Sequence, residues 1–250
     1  MDRDSGQGVD GFEAEQGRLL LGIDTCGPKG SVALGRLNGE SAEVLEQIEL
    51  EGRSYSATLV AAVGDLLARA GARVADIGAI VAVSGPGSFT GVRVGLSAVK
   101  GLAEANRTPV VAVSRLEVLA WKAGVGSAAL DAHRHEVFLR LGGANEAARE
   151  LLAGAMELAV VGDWKGKAGN RKIAVCDDAA ASLISDSCPS AQFVHVAAPT
   201  AADALQLCAA RVVAQQFVDL ALLDGHYLRR SDAEIFGEAQ LAAASEASGA

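Results

Sequence analysis

The ten residues Ser84 to Arg93, SGPGSFTGVR, constrain the fold more than any other stretch of the chain. They join an apolar run, Ile77 to Val83, to a segment rich in small residues, which reads as strand, glycine loop, helix. Gly85, Gly87 and Gly91 permit positive φ and close backbone approach, Pro86 stiffens the turn, and Ser88 and Thr90 suit a helix N-cap. A helix N-terminus reached this way exposes N–H groups and can attract an anion. The standard phosphate motifs do not fit. A dinucleotide fingerprint places its third glycine three residues after the second, whereas Gly91 lies four after Gly87. A P-loop continues Gly-Lys-Ser/Thr, whereas Gly91 is followed by Val92 and Arg93. The spacing favours a structural turn somewhat over a phosphate cradle. Gly85, Gly87, Ser88 and Thr90 are kept as candidates for nucleotide binding, together with Asp24 and Thr25, which end an earlier apolar run.

Around this loop the pattern is that of a mixed sheet with helical crossovers. Leu19 to Ile23 predicts a buried strand, Gly27-Pro28-Lys29-Gly30 a turn, Ser31 to Leu37 the returning strand and Val44 to Leu50 a third. Ser54 or Ser56 can cap a helix whose apolar positions Leu59, Val63, Leu66 and Leu67 follow helical spacing, with Gly71 as its stop. Ala79 to Val83 then feeds the glycine loop, a second helix runs from about Thr90 to Ala105, and Pro109 to Val113 is the next strand. The fold class is α/β. The second half repeats the theme more loosely. Strands are predicted at Ser127 to Asp131, Glu136 to Leu141, Leu158 to Val161, Ile173 to Val175 and Phe193 to Val196, and helices at Ala179 to Ile184 and Ala201 to Val218. A boundary between halves is expected near residues 115–126.

Composition narrows the function classes. With 250 residues the chain has room for a sizeable core, and no apolar stretch approaches the ~20 residues of a membrane-spanning helix. The N-terminal MDRDSGQGVDGFEAEQGR reads as a solvated tail and AQLAAASEASGA as another. A net charge of -9 argues against strong nucleic-acid binding by the chain alone, although a partner could supply the basic surface. Cys26, Cys176, Cys188 and Cys208 show no metal-finger spacing and read as reduced thiols. A soluble cytoplasmic protein is the expectation.

The residues alone yield no catalytic constellation. Asp24-Thr25 could hold a metal–phosphate group, or Asp24 could simply bond its own backbone in a turn. His133 and His135 would share one side of a strand-like segment, too few ligands for zinc. Asp177-Asp178 follows a strand and could ligate a cation, but a helix N-terminal acidic pair explains it adequately. There is no G-x-S-x-G elbow. The second helix is more suggestive: Gly91, Gly95, Ala98, Leu102 and Ala105 form a broad small-residue face, with Ser97 and Gly101 beside it. Such a face lets another helix approach closely, whether the chain's own first helix or a partner's.

LGIDTCGPKGSVAL, SGPGSFTGVRVGLSAVKGLA, PVVAVS, DAHRHEVFLRL and the late GHYLRRSDAE together resemble the bacterial TsaB family, also called YeaZ, over roughly residues 18–236. The resemblance implies an actin-like (ASKHA) duplicated fold with an N-terminal lobe over 18–117, a C-terminal lobe over 118–236, and tails at 1–17 and 237–250. It implies a part in forming N6-threonylcarbamoyladenosine at position 37 of tRNAs that read codons beginning with A. The family does this by pairing with its catalytic paralogue TsaD as a heterodimer, joined by the ATPase TsaE, and meets tRNA only through that complex. TsaD-like enzymes carry a His-x-x-x-His metal site just after the strand corresponding to Pro109–Val113, where this chain has Arg115 and Leu119. Guanidinium and isobutyl groups cannot replace two imidazoles. The resemblance therefore implies a non-catalytic scaffold with no metal and no required cofactor, although a nucleotide at the shared interface stays open. The partner contact would lie on the first two helices, at Tyr55 (where some relatives have His), Leu59, Val63, Gly91, Gly95, Ala98 and Leu102. Two other readings are an independent nucleotide-binding or peptidase-like member of the superfamily and a homodimeric interaction module.

Overall fold

The computed structural model describes residues 17–143, 146–161 and 172–229. The expected tails lie outside these residues apart from Gly17, as do Arg230 to Glu234 of the C-terminal motif. In chain order the first half forms β1 (Leu19–Asp24), β2 (Lys29–Asn38), β3 (Ser41–Glu51), α1 (Tyr55–Arg69), β4 (Ile77–Val83), α2 (Phe89–Asn106), β5 (Val110–Val113) and α3 (Arg115–Lys122). The second forms β6 (Ser127–Asp131), β7 (Val137–Gly143), β8 (Glu146–Ala153), α4 (Ala155–Val161), β9 (Lys172–Val175), α5 (Asp178–Ser187), β10 (Gln192–His195) and α6 (Ala201–Val213). The order βββαβαβα thus occurs twice.

The sheets repeat in the same way. The first runs β3-β2-β1-β4-β5 and the second β10-β9-β6-β7-β8. In each, the first three strands make an antiparallel meander and the rest join in parallel, as helical crossovers require. β1, LLLGID, is buried along its whole length because it is the central strand, covered on both faces. The chain is a duplicated actin-like α/β fold.

The halves exchange their last helices. α3 packs on β6, β7 and β9 of the second sheet, while α6 packs on β1 to β5 of the first. α6 buries Ala201, Ala204, Leu205, Cys208, Ala209 and Val212. Its close approach depends on Gly22 of β1, where a β-carbon would stand 2.7 Å from the Ala201 carbonyl oxygen and 3.0 Å from Leu205 Cγ. Polar contacts tie the same helix down: Ser31 Oγ accepts from Ala201 N–H at 2.8 Å, and Lys122 of α3 reaches Asp203 at 2.7 Å.

Several predicted elements are corrected. Leu158 to Val161 belongs to a helix, not a strand, because a short apolar run carries no decisive period; Glu157 accepts from Gly154 N–H and fixes the helix start. α6 ends at Val213 instead of continuing to Val218, and Phe217 and Val218 pack on the first core as irregular chain, with Val218 N–H donating to the Val110 carbonyl. α3 and β8 are elements the sequence reading did not assign. His133 to His135 is an exposed turn with three successive left-handed residues (φ 59°, 56°, 59°), not strand, so the two imidazoles share no strand face.

Candidate functional site

β1 and β4 are parallel neighbours, with Ile23 opposite Ala82, so the chain beyond the end of each meets the other. This places Asp24-Thr25-Cys26 against the glycine loop. Ser88 N–H donates to the Cys26 carbonyl at 2.7 Å, and the Thr25 hydroxyl to the Gly91 carbonyl at 2.7 Å. Cys26 Sγ points at the Val83 carbonyl, 3.3 Å away. A β-carbon on Gly87 would collide with the Cys26 carbonyl, which is why this position is glycine. Ser88 caps α2 by accepting from Gly91 N–H at 3.2 Å; Thr90 sits exposed in the first turn.

Arg115, the first residue of α3, closes this junction from the other side. Its Nε lies 3.4 Å from Asp24 Oδ2, and both side chains are buried (7 % and 1 % exposed). Asp24 Oδ1 meanwhile accepts from Cys26 N–H at 2.8 Å, so the carboxylate does bond its own turn. The Tyr55 hydroxyl, from the start of α1, donates to the Gly27 carbonyl at 2.8 Å. Burial opposes the Arg115 charge, but Asp24 outweighs it and holds the guanidinium above its ordinary value. Burial, with the Asp24 charge behind it, pushes the Cys26 thiol and the Tyr55 phenol up, so both stay protonated at neutral pH and neither is a ready nucleophile. Of the nucleotide candidates, Asp24 and Thr25 are thus bonded inside the chain and Gly87 is packed on Cys26.

A second polar cluster, unforeseen in the sequence, lines a cleft of about 350 Å³ between the two halves. Glu150 of β8 is its centre: it accepts from Ser114 Oγ at 2.6 Å and from Arg140 Nη1 at 2.6 Å. His226 Nε2 stands 2.8 Å from the same carboxylate without hydrogen-bond alignment. Glu117 pairs with Arg211 alongside. Serine, glutamate and histidine are all present, yet the carboxylate lies between the other two. A hydrolase needs the imidazole next to the hydroxyl to take its proton, so this is a clasp and not a catalytic triad. Burial would raise the Glu150 pKa, but the His226, Ser114 and Arg140 contacts prevail and hold it below the usual carboxylate value. A depressed folded pKa contributes stability above the unfolded value, about 4.3, which is lost as pH falls through the folded one. Glu150→Gln should therefore lower stability at pH 7 by on the order of 2 kcal/mol and flatten the acid limb of the stability profile. An unchanged acid limb in urea titrations across pH would contradict this.

The helix faces also differ from expectation. Tyr55, Leu59, Val63, Gly91 and Gly95 point into the first core, so as a monomer surface they offer a partner nothing. The reason is local: a β-carbon at Gly95 would strike the Thr25 hydroxyl, so the small residue serves the chain's own strand end. Ala98 and Leu102 are half-buried. The outward face of the adjacent α1 and α2 is instead Ala57, Val60 (67 % exposed), Gly64, Ser97 and Gly101. At Gly64 and Gly101 a β-carbon would meet nothing within 4 Å.

Asp177 caps α5 by accepting from Ala180 N–H at 2.7 Å, with Asp178 in the first turn. The four cysteines are free thiols. Among the described residues no cluster of three or more His, Cys, Asp or Glu could hold a metal, and no helix is long and apolar enough to cross a membrane.

Comparison with known proteins places these features. The family model for TsaD, tRNA N6-adenosine threonylcarbamoyltransferase, matches residues 43–162. The TsaB tRNA threonylcarbamoyladenosine biosynthesis protein of Escherichia coli is 35 % identical over 125 residues, 48 % of this chain and 52 % of that protein. A tRNA N6-adenosine threonylcarbamoyltransferase of Methylocapsa acidiphila is 38 % identical over 115 residues, 39 % of this chain and 33 % of that one. The chain spans about half the length of the curated TsaB relatives it matches. The structure of YeaZ from Pseudomonas aeruginosa superposes with a TM-score of 0.66 at 29 % identity, covering 84 % of this chain and 99 % of that one.

Proposed function

The chain belongs to the TsaB (YeaZ) family, and on that premise we propose that it is the non-catalytic subunit that supports N6-threonylcarbamoyladenosine formation in tRNA, paired with a TsaD-type transferase in the cytoplasm. One observation carries the reading. Where the transferase has its first metal-ligating histidine this chain has Arg115, and that side chain is buried against Asp24 instead of facing a substrate. Leu119, in place of the second, is fully buried. A guanidinium already paired inside the core has no lone pair to give a metal.

Reconstitution of tRNA modification with and without this chain tests the role. The chain alone should transfer no threonylcarbamoyl group, and adding it to a TsaD-type partner should raise the yield. Modified tRNA from the chain by itself would contradict the scaffold reading. With its net charge of -9 the isolated chain should also bind tRNA only weakly at physiological salt. A sub-micromolar dissociation constant there would rule this out.

The partner contact is reassigned to the outward face of α1 and α2. Gly64→Leu and Gly101→Leu add bulk where the monomer has open space. Replacing glycine inside a helix also favours the helix by up to about 1 kcal/mol, so the melting temperature should hold or rise. Association with the transferase should weaken at least tenfold, roughly 1.4 kcal/mol. Unchanged affinity in both well-folded variants would remove this face from the interface. Light scattering of the chain alone and mixed distinguishes pairing with the transferase from self-pairing.

A further inference from the structure

One flank of α2, meeting its outward face at Ser97, forms one wall of a groove of about 450 Å³, and the segment Leu223 to Arg229 forms the other. Phe89, Arg93, Ser97 and Lys100 line the helix wall, each a turn or so from the next, so they stand on one face. Tyr227 and Arg229 line the other wall. The Arg93 guanidinium lies over the Phe89 ring, 3.8 Å from its centroid, and Phe89 packs on Tyr227 with centroids 4.8 Å apart. The stacking holds the guanidinium in place and leaves its N–H edge open.

The donor set fixes the chemistry of what fits. Among the described residues neither Arg93 nor Lys100 has a carboxylate within ion-pair distance, whereas the cations of neighbouring elements are paired: Lys122 with Asp203, Arg211 with Glu117, Arg229 with Glu136. Guanidinium and ammonium are pure donors, and the Ser97 hydroxyl between them can donate as well. The one carboxylate in the lining, Asp224, already accepts from Gly225 N–H at 2.7 Å. On a chain whose net charge is -9, the groove thus holds two cations with no acidic partner among the described residues. Arg93 and Lys100 are seven residues apart, roughly 10.5 Å along the helix, which suits several linked phosphates better than one small anion. The aromatic pair holds the cation in place, so the contacts the groove offers through Arg93 and Lys100 are to a backbone.

We propose that this groove binds a phosphodiester backbone, that of the tRNA being modified, with Arg93 and Lys100 on separate phosphates. The proposal rests on the reading of the chain as a tRNA-modification subunit, and it adds to the chain a direct hold on the substrate that acts beside the partner's. Contacts of this kind position RNA without reading its sequence.

The test measures anisotropy of a labelled tRNA transcript with the full chain at low salt, comparing wild type with Arg93→Gln/Lys100→Gln and with Arg93→Glu/Lys100→Glu. The neutral pair removes charge without introducing repulsion. Each lost phosphate contact should lower the slope of log affinity against log salt by about 0.7–0.9, so the neutral pair should lower it by roughly 1.5. Affinity at low salt should fall at least tenfold. Circular dichroism and melting temperature should be unchanged, because both side chains lie on the groove surface. Equal affinity and slope in folded variants, or no tRNA binding by wild type even at low salt, would overturn the assignment. Inorganic tripolyphosphate and ATP are titrated in parallel: variant-sensitive binding of these without any effect on tRNA would mean a free polyphosphate ligand and would equally overturn the RNA assignment. The modification assay separates the two claims. If wild type supports modification and variants with unchanged tRNA binding do so equally, the groove fails and the role stands. If wild type supports none while tRNA binding is lost in the variants, the role fails and the groove stands.

Discussion

Arg115→Ala should destabilise the protein by about 3–5 kcal/mol, because it leaves the Asp24 carboxylate uncompensated in the core. The ion pair is not thereby worth that much to folding. Removing both charges by Asp24→Asn with Arg115→Met keeps the volume and an acceptor for the Cys26 N–H, and should restore most of the loss. The pattern to look for in denaturant titrations is a single variant far below wild type and a double variant close to it. A single variant within 1 kcal/mol of wild type would mean the pair is solvated, contrary to the burial seen here. A double variant as unstable as the single would mean that Arg115 matters through its packing beneath Gly27 and not through its charge.

Gly95→Leu should be strongly destabilising. Overpacking in a filled core typically costs ~1–3 kcal/mol. Here the new side chain collides with Thr25, which is itself buried and bonded to the Gly91 carbonyl, so the upper end is expected. For a protein of this size ~3 kcal/mol corresponds to a fall in Tm of about 6–12 °C. Gly101→Leu, less than two turns along the same helix, should show no such fall. The contrast is the sharpest check on which side of α2 faces inward: a Gly95→Leu protein that melts like wild type would put this face on the surface after all.

The elements that sequence periodicity reached are those whose pattern has one meaning. The continuous apolar run of β1, the alternation in β3 and the spacing of Leu59, Val63, Leu66 and Leu67 each fit a single structure. β8 was missed because EAARELLA is built from strong helix formers, and its pairing with β7 is a tertiary choice that overrides propensity. With β8 went Glu150, and hence the clasp between the halves. α3 had a usable signal, Ser114 followed three residues later by Glu117, and Ser114 does cap the helix by accepting from Leu116 N–H. The glycines of α2 were legible as a demand for close approach but not as to what approaches. Smallness at Gly95 and at Gly101 looks identical in a sequence, yet one meets Thr25 and the other meets nothing. The partners of Asp24 were hidden for the same reason: Arg115 is 91 residues away along the chain.

The exchange of α3 and α6 sets the order of synthesis against the order of packing. β5 ends at Val113 and α6 ends at Val213, so 100 residues are translated after the last strand of the first sheet before the helix that seals it is finished. At typical ribosomal speeds that interval lasts roughly 5–20 s. Throughout it the groove at Gly22 stands open, and the apolar side chains that α6 will cover face solvent or whatever shields a nascent chain. The half that is made first is therefore completed last, by the final helix of the second.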